Sequence, residues 1–279
     1  IIKIDKIMKI PKFLLLESIF NKKNTLRYSP GVFNYSIFLS KVSFAQLFLV
    51  LLRKLISKIT PKVRRFPIEI AGVAGGISIY HRTDLSGEGF NLVFDYIRAF
   101  NQSIEKPINT LLEIGSGPGY LGFTLLGLGY CKELMLVDIN PKAIEVIKKT
   151  IKENNLNSVK YYLSDALENV PDDSCDLIIS NPVHFDDSYK KKEWRFNTTN
   201  DLIAYDKDWE FHKKLYGKAS KILRKNGKIL LQENGFAGDN TDIYKKMISN
   251  GEGNFISKID SNKLTPESPM YYILSSFND

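Results

Sequence analysis

Cysteine, histidine and long apolar runs are all scarce in this chain, and each scarcity removes a class of protein. Two cysteines, Cys131 and Cys175, stand far apart with no Cys-x-x-Cys spacing. A disulfide framework is thereby set aside, and two reduced structural thiols in a cytoplasmic setting are expected. Of the three histidines, His81 and His212 have no spacing suited to a metal triad, and no metal site is expected. The most membrane-like stretch, residues 42–52, is closed by Arg53-Lys54. It is too short to span a bilayer, for which about 20 apolar residues are needed, so a buried or interfacial helix is the reading. Lys3, Lys6, Lys9 and Lys12 interrupt every apolar run at the start before it reaches the length of a secretory signal core.

Charge is unevenly placed. The 279 residues carry a net charge of +8, yet residues 1–66 alone hold 14 Lys or Arg against Asp5 and Glu17. The remainder is slightly acidic. A segment this basic attracts phosphate-rich or other anionic partners, RNA or DNA among them, although lysine on a solvated helix face needs no partner. Phe44, Leu47, Phe48, Leu51, Leu52, Leu55, Ile56 and Ile59 follow helical spacing, so residues 1–66 read as a basic helical module. Residues 67–103 read as a connecting β-hairpin, turning at Ala74-Gly75-Gly76, followed by a helix over 89–101.

From residue 104 to 279 strands and helices alternate, which predicts a doubly wound α/β sheet. Strands are expected near 109–114, 133–138, 159–163, 175–180, 227–233, 254–260 and 270–277, and helices near 118–129, 141–154, 208–225 and 240–249. The last two strands have no helix between them, which implies an antiparallel pair at the sheet edge.

The most informative run is Leu111-Leu112-Glu113-Ile114-Gly115-Ser116-Gly117-Pro118-Gly119-Tyr120-Leu121-Gly122, followed by Asp138 at the end of the next apolar run. An apolar strand feeding a glycine-rich turn and a helix brings bare backbone close to a ligand, and an acid ending the next strand can take two ribose hydroxyls. Because Gly117 to Gly122 also satisfies G-x-G-x-x-G, the turn alone suits NAD as well as S-adenosylmethionine. Glu113, Asp165 after the run 159–163, and Asn181-Pro182-Val183-His184-Phe185 after the strand 175–180 are the further features.

Together these residues make the chain resemble a class I S-adenosylmethionine-dependent methyltransferase over residues 104–279. The resemblance implies a seven-stranded sheet with an antiparallel ending. It also implies a cofactor site of Glu113 beside the ammonium, Gly115, Ser116, Gly117 and Gly119 under the ribose and carboxylate, Asp138 with Ile139 at the ribose, and Asp165 with the Ala166 amide at the adenine. Asn181-Pro182-Val183-His184-Phe185 resembles the Asn-Pro-Pro-Tyr motif of methyltransferases acting on planar nitrogens, with Val183 and His184 as departures. An amide or aromatic amine must be held while its nitrogen rehybridises. The Asn181 oxygen and the Pro182 carbonyl can each accept one of its hydrogens, with His184 or Phe185 stacking on the planar group.

The layout of helical module, hairpin and catalytic sheet is similar to that of release-factor glutamine methyltransferases. The expected activity is methyl transfer to a planar amide or amine nitrogen of a protein or nucleic acid. The alternatives are an N-methyltransferase of a small metabolite with the N-terminal module as a lid, a binding protein without turnover, and an NAD-dependent oxidoreductase, which the antiparallel ending disfavours.

Overall fold

The computed structural model describes residues 69–82, 85, 89–183, 206–234, 241–261 and 270–278. The expected helical module of residues 1–66 lies outside them, as do His184 and Phe185. The described chain begins with an antiparallel hairpin, β1 (Glu69–Ala74) and β2 (Ile77–Arg82), and continues into α1 (Gly89–Ser103). It then alternates as β3 (Ile108–Ile114), α2 (Tyr120–Gly127), β4 (Cys131–Asp138), α3 (Pro141–Glu153), β5 (Val159–Leu163), β6 (Cys175–Ser180), α4 (Glu210–Ile222), β7 (Leu223–Asn234), α5 (Asp242–Asn250), β8 (Asn254–Asp260) and β9 (Met270–Phe277). The sheet order is β5-β4-β3-β6-β7-β9-β8, with β9 running against both of its neighbours and the other pairs parallel. The doubly wound sheet and its antiparallel ending are those the sequence predicts.

Alternation along the central strands explains the layering. Leu111, Leu134, Leu136, Leu177, Ile179 and Leu230 point into one core, and Leu112, Met135, Val137, Ile178, Ile229 and Leu231 into the other. Strands buried on both faces need apolar residues at every position, which is why these runs do not alternate with polar ones. Helices α1, α2 and α3 close the first core through Phe100, Phe123 and Ile147, while α4 and α5 close the second through Tyr216 and Ile248. Each such side chain contributes roughly 1.5 to 3 kcal/mol on burial. Both cysteines are free and buried, and burial pushes each thiol up to about 12.

Element ends depart from expectation where backbone takes the left-handed region. Helix α2 starts at Tyr120 and not at Pro118, because Gly119 adopts a φ of 79°. Helix α4 starts at Glu210 because Asp208 and Trp209 hold φ of 53° and 59°. At its other end α4 stops at Ile222, since Leu223 already pairs with Cys175 in the sheet. Helix α3 keeps the expected start: Pro141 occupies the first turn, and the Asn140 side chain accepts the Lys142 amide at 3.1 Å.

The hairpin is docked on α2 and α3. Ser78 donates its amide to Asn154 Oδ1 at 2.9 Å and accepts from Asn154 Nδ2 at 2.8 Å, while the Tyr80 amide donates to Thr150 Oγ1 at 3.0 Å. Gly75 and Gly127 meet backbone to backbone, so closely that a β-carbon at Gly127 would lie 2.8 Å from the Gly75 carbonyl carbon. Gly127→Ala is therefore expected to push the hairpin off α2 and cost about 1 to 3 kcal/mol, the range for overpacking a tight contact. A urea midpoint equal to that of the wild type would show that the contact carries no stability.

Candidate active site

The sequence-predicted site residues among the described residues emerge at the carboxyl ends of the parallel strands, the edge at which ligands bind in open α/β sheets. Strand β3 ends in Glu113-Ile114 and the turn Gly115 to Gly119. Gly115, Gly117 and Gly119 take φ of 63°, 53° and 79°, a region in which residues bearing a β-carbon are strained. Nothing lies within 4 Å of where a Gly117 β-carbon would be, so open space adjoins the turn there. Ser116 is buried, and its hydroxyl has no partner among the described residues. The Glu113 carboxylate, only 6% exposed, accepts the Gly122 amide at 2.8 Å and so ties β3 to the first turn of α2. Burial pushes Glu113 up to about 8, against the Gly122 bond, with Asp138 adding repulsion.

Asp138, ending β4, accepts the Gly117 amide on Oδ2 and the Asn140 amide on Oδ1, each at 2.7 Å. Burial holds it above the ordinary carboxylate range, while the amides of Asn140, Gly117 and Ile139 pull it back. Each oxygen keeps a second lone pair for a hydroxyl donor. Beside it, Ile139 is 58% exposed and Leu163, at the end of β5, is 50% exposed. Asp165 follows in a turn and not in a helix, and Ala166 holds a φ of 46°, a strained conformation of the kind that gathers at ligand sites. Asp165 Oδ2 pairs with Lys214 Nζ at 2.5 Å, and Lys214 also reaches Glu210 at 3.2 Å.

Strand β6 delivers Ser180-Asn181-Pro182-Val183. The Ser180 hydroxyl donates to the Ile114 carbonyl at 2.6 Å, tying the Asn-Pro turn to the glycine turn; a β-carbon on Gly115 would lie 3.8 Å from Ser180 Oγ. Asn181 is half-buried and Pro182 buried. The structure thus brings Glu113, Gly115, Ser116, Gly117, Gly119, Asp138, Ile139, Asp165, Ala166, Asn181 and Pro182 to one edge of the sheet.

Residues 97–250, more than half of the chain, match the model of the family described as Methyltransferase small domain. The chain belongs to the methyltransferase small domain family. It is 29% identical over 124 residues to the release factor glutamine methyltransferase of Aquifex aeolicus, covering 43% of this chain and 44% of that protein. It is 26% identical over 129 residues to the ribosomal protein uL3 glutamine methyltransferase of Francisella tularensis, covering 45% and 41%. The chain spans less than half the length of these two curated relatives. Among solved structures, M. jannaschii TYW2 in complex with AdoMet superposes with a TM-score of 0.52 at 17% identity, covering 75% of this chain and 84% of that one. This methyltransferase domain draws its methyl group from S-adenosylmethionine. The residues fit that cofactor: a partnerless buried hydroxyl at Ser116, open space at Gly117, and two exposed aliphatics beside Asp138. Among the described residues no helix of the domain is long and apolar enough to cross a membrane.

One cluster at this edge escaped sequence reasoning, which gave His212 no role. Its imidazole is buried between two buried carboxylates, with Nδ1 2.5 Å from Asp206 and Nε2 3.0 Å from Glu233, and Tyr244 donates to the other Glu233 oxygen at 3.1 Å. Burial pulls the histidine down, but the charge of Glu233 and the bonds to Asp206 and Glu233 win and raise it to about 9. The Asp206 carboxylate also accepts the Phe211 and His212 amides at 2.7 and 3.2 Å, capping the start of α4. Only spacing signals were available from the sequence, and partners six and twenty-one residues away carry none.

A histidine raised in the folded state contributes stability that is complete below its unfolded value near 6.5 and lost as pH rises through about 9. Glu113, raised to about 8, adds a loss of the same sign between its ordinary value and 8. In a Glu113→Gln background, denaturation midpoints should therefore fall between pH 6.5 and 9. A flat profile there would show that His212 is not held as a cation.

Proposed function

We propose that this domain methylates the side-chain amide nitrogen of a protein glutamine. The observation that carries the reading is the Asn-Pro turn leaving β6 beside the glycine turn leaving β3, tied to it through Ser180 and Ile114. The relatives named as glutamine methyltransferases of a release factor and of ribosomal protein uL3 support the choice of acceptor.

S-adenosylmethionine, when bound, supplies an electrophilic methyl group on a sulfonium. The chain's own residues do the rest. Asp138 would take the ribose hydroxyls, Glu113 and Ser116 the amino and carboxylate ends, and Ile139 with Leu163 the faces of the adenine. Asp165 and the Ala166 amide would read the adenine edge. An amide nitrogen attacks poorly because its lone pair is delocalised into the carbonyl. The Asn181 side-chain oxygen and the Pro182 carbonyl accept its two hydrogens, hold its plane, and bind more tightly as positive charge develops on nitrogen. His184 or Phe185 would stack on the amide. The basic first 66 residues would draw in an acceptor bound to, or itself part of, a polyanion, and a cytoplasmic location accords with such a target.

A buried acid with no cation beside it among the described residues makes a binding signature. Burial raises Glu113 to about 8, and a ligand ammonium beside it favours the charged form, so S-adenosylhomocysteine should release a proton from Glu113 on binding at pH 7. Calorimetry in buffers of different ionisation enthalpy reads this number. Zero release at pH 7 would place the ammonium elsewhere.

The acceptor is tested by incubating the chain with methyl-labelled cofactor and, separately, release factor, ribosomal protein uL3, RNA and small-molecule extract. Label in protein, freed as methylamine by alkaline hydrolysis, is the expected result; label confined to RNA or to small molecules overturns the reading. With the labelled acceptor in hand, Asn181→Ala should cut turnover by about 10² to 10³ while leaving cofactor affinity nearly unchanged. Turnover near wild type in that variant would remove the nitrogen-clamping mechanism.

A further inference from the structure

Tyr96 lies in α1, one residue before the stretch that matches the family model. Its ring is buried, edge-on to Tyr272 with centroids 5.1 Å apart. Its hydroxyl does something unusual for a core phenol: it donates to the Leu230 carbonyl, accepts the Ser180 amide at 3.2 Å, and lies 3.4 Å from the Ser180 carbonyl. Strands β6 and β7 pair with Ser180 opposite Leu231, the register in which the Ser180 amide and the Leu230 carbonyl face each other. The phenol oxygen bonds the Ser180 amide on one strand and the Leu230 carbonyl on the other, at the last residue before Asn181.

The bridge is held from behind. Asp95, the neighbour of Tyr96, accepts from Ser261 Oγ at 2.5 Å, from Tyr272 at 3.0 Å and from Arg98 Nε at 3.0 Å. Arg98 also donates to the Asp260 carbonyl at 2.6 Å, so α1 is fastened to β9 and to the end of β8. Tyr272 in turn accepts from Gln232 Nε2 at 2.7 Å, one residue past the Ser180 partner Leu231. Burial keeps the Tyr96 phenol far above its ordinary range, so it stays neutral and retains the proton it donates.

We propose that Tyr96 is a positioning residue for methyl transfer: its hydroxyl, bonded to both β6 and β7 at Ser180 and Leu230, sets the direction in which Asn181 and Pro182 leave the sheet and so the placement of the two acceptors for the substrate's N–H groups. The proposal rests on the reading of Asn181 as the nitrogen-holding residue. A purely structural role, satisfying two backbone groups in the core, would cost stability without touching the turn.

The test uses the full chain with S-adenosylhomocysteine or labelled S-adenosylmethionine. In the wild type, hydrogen exchange should show the Ser180 amide protected to the same degree as that of Ile179. Tyr96→Phe keeps the ring and should speed exchange at Ser180 by about ten-fold or more, leave β3 and β4 protected, and leave S-adenosylhomocysteine affinity unchanged. On whichever acceptor the labelling experiment identifies, kcat should fall on the order of ten-fold with the KM for cofactor unchanged. Tyr272→Phe removes a hydroxyl from the same cluster without contacting Ser180 and should leave Ser180 exchange as it is. Fast Ser180 exchange in the wild type, unaltered exchange in Tyr96→Phe, or a rate loss matched by lost cofactor affinity would overturn the proposal. Label in an acceptor other than protein would defeat the glutamine reading while leaving the Tyr96 measurements to stand or fall on their own.

Discussion

A single carboxylate holds the cofactor edge together. Asp138 sits at the end of β4, yet its two oxygens accept amides from the glycine turn after β3 and from the start of α3. Without it, Gly117 would be free to leave its left-handed conformation, since nothing packs where its side chain would be. Two charge-assisted bonds, each worth about 1.5 to 3 kcal/mol, offset the conformational freedom of a turn rich in glycine. Preorganising the turn in this way means the ligand does not have to order it, and binding energy is kept for discrimination.

The same edge gathers an unusual amount of buried charge, and the two faces treat it differently. On the face of α1 and α2, Glu113 is buried with an amide bond and, among the described residues, no cation, a state that favours its neutral form. On the face of α4 and α5, Asp206 and Glu233 are buried around a histidine that neutralises part of their charge. Breaking a buried ion pair by removing one partner typically costs about 3 to 5 kcal/mol, because the remaining charge stays in a low dielectric. The first face therefore gains from a ligand cation, and the second is complete without one.

Much of this fold was legible in the sequence because strands buried on both faces announce themselves as unbroken apolar runs, as Leu134 to Val137 does. The paired glycines of the hairpin and the missing helix before β9 were equally plain. What stayed hidden depended on contacts across long stretches of chain. Helical spacing over 89–101 gives Tyr96 and Asp95 no role; the structure buries both against strands 84 to 177 residues away. For Asp165 the sequence offers the adenine or a helix N-cap before Ala166, and nothing in its surroundings points to Lys214, 49 residues on. Left-handed backbone at Asp208 and Trp209, where no glycine marks it, likewise gave no local signal.

The Asn-Pro turn lies between two polar clusters, and their positions suggest why a core would retain them. One cluster, around Tyr96 and Asp95, grips β6 at the residue before Asn181; the other, around His212, grips Asp206 and the end of β7. Apolar packing would stabilise either place as well or better, but it is non-directional and tolerates small shifts. Hydrogen bonds lose strength steeply when misdirected, so a hydroxyl bonded to two strands, or an imidazole between two carboxylates, defines one arrangement and penalises its neighbours. Methyl transfer to a poorly nucleophilic nitrogen depends on alignment more than on acid or base assistance, and misplacement by about 1 Å can cost a factor near 10². On the reading proposed above, such a domain gains more from fixing the direction of its Asn-Pro turn than from the last kcal/mol of core stability, and the Tyr96 and His212 clusters lie on opposite faces of the sheet.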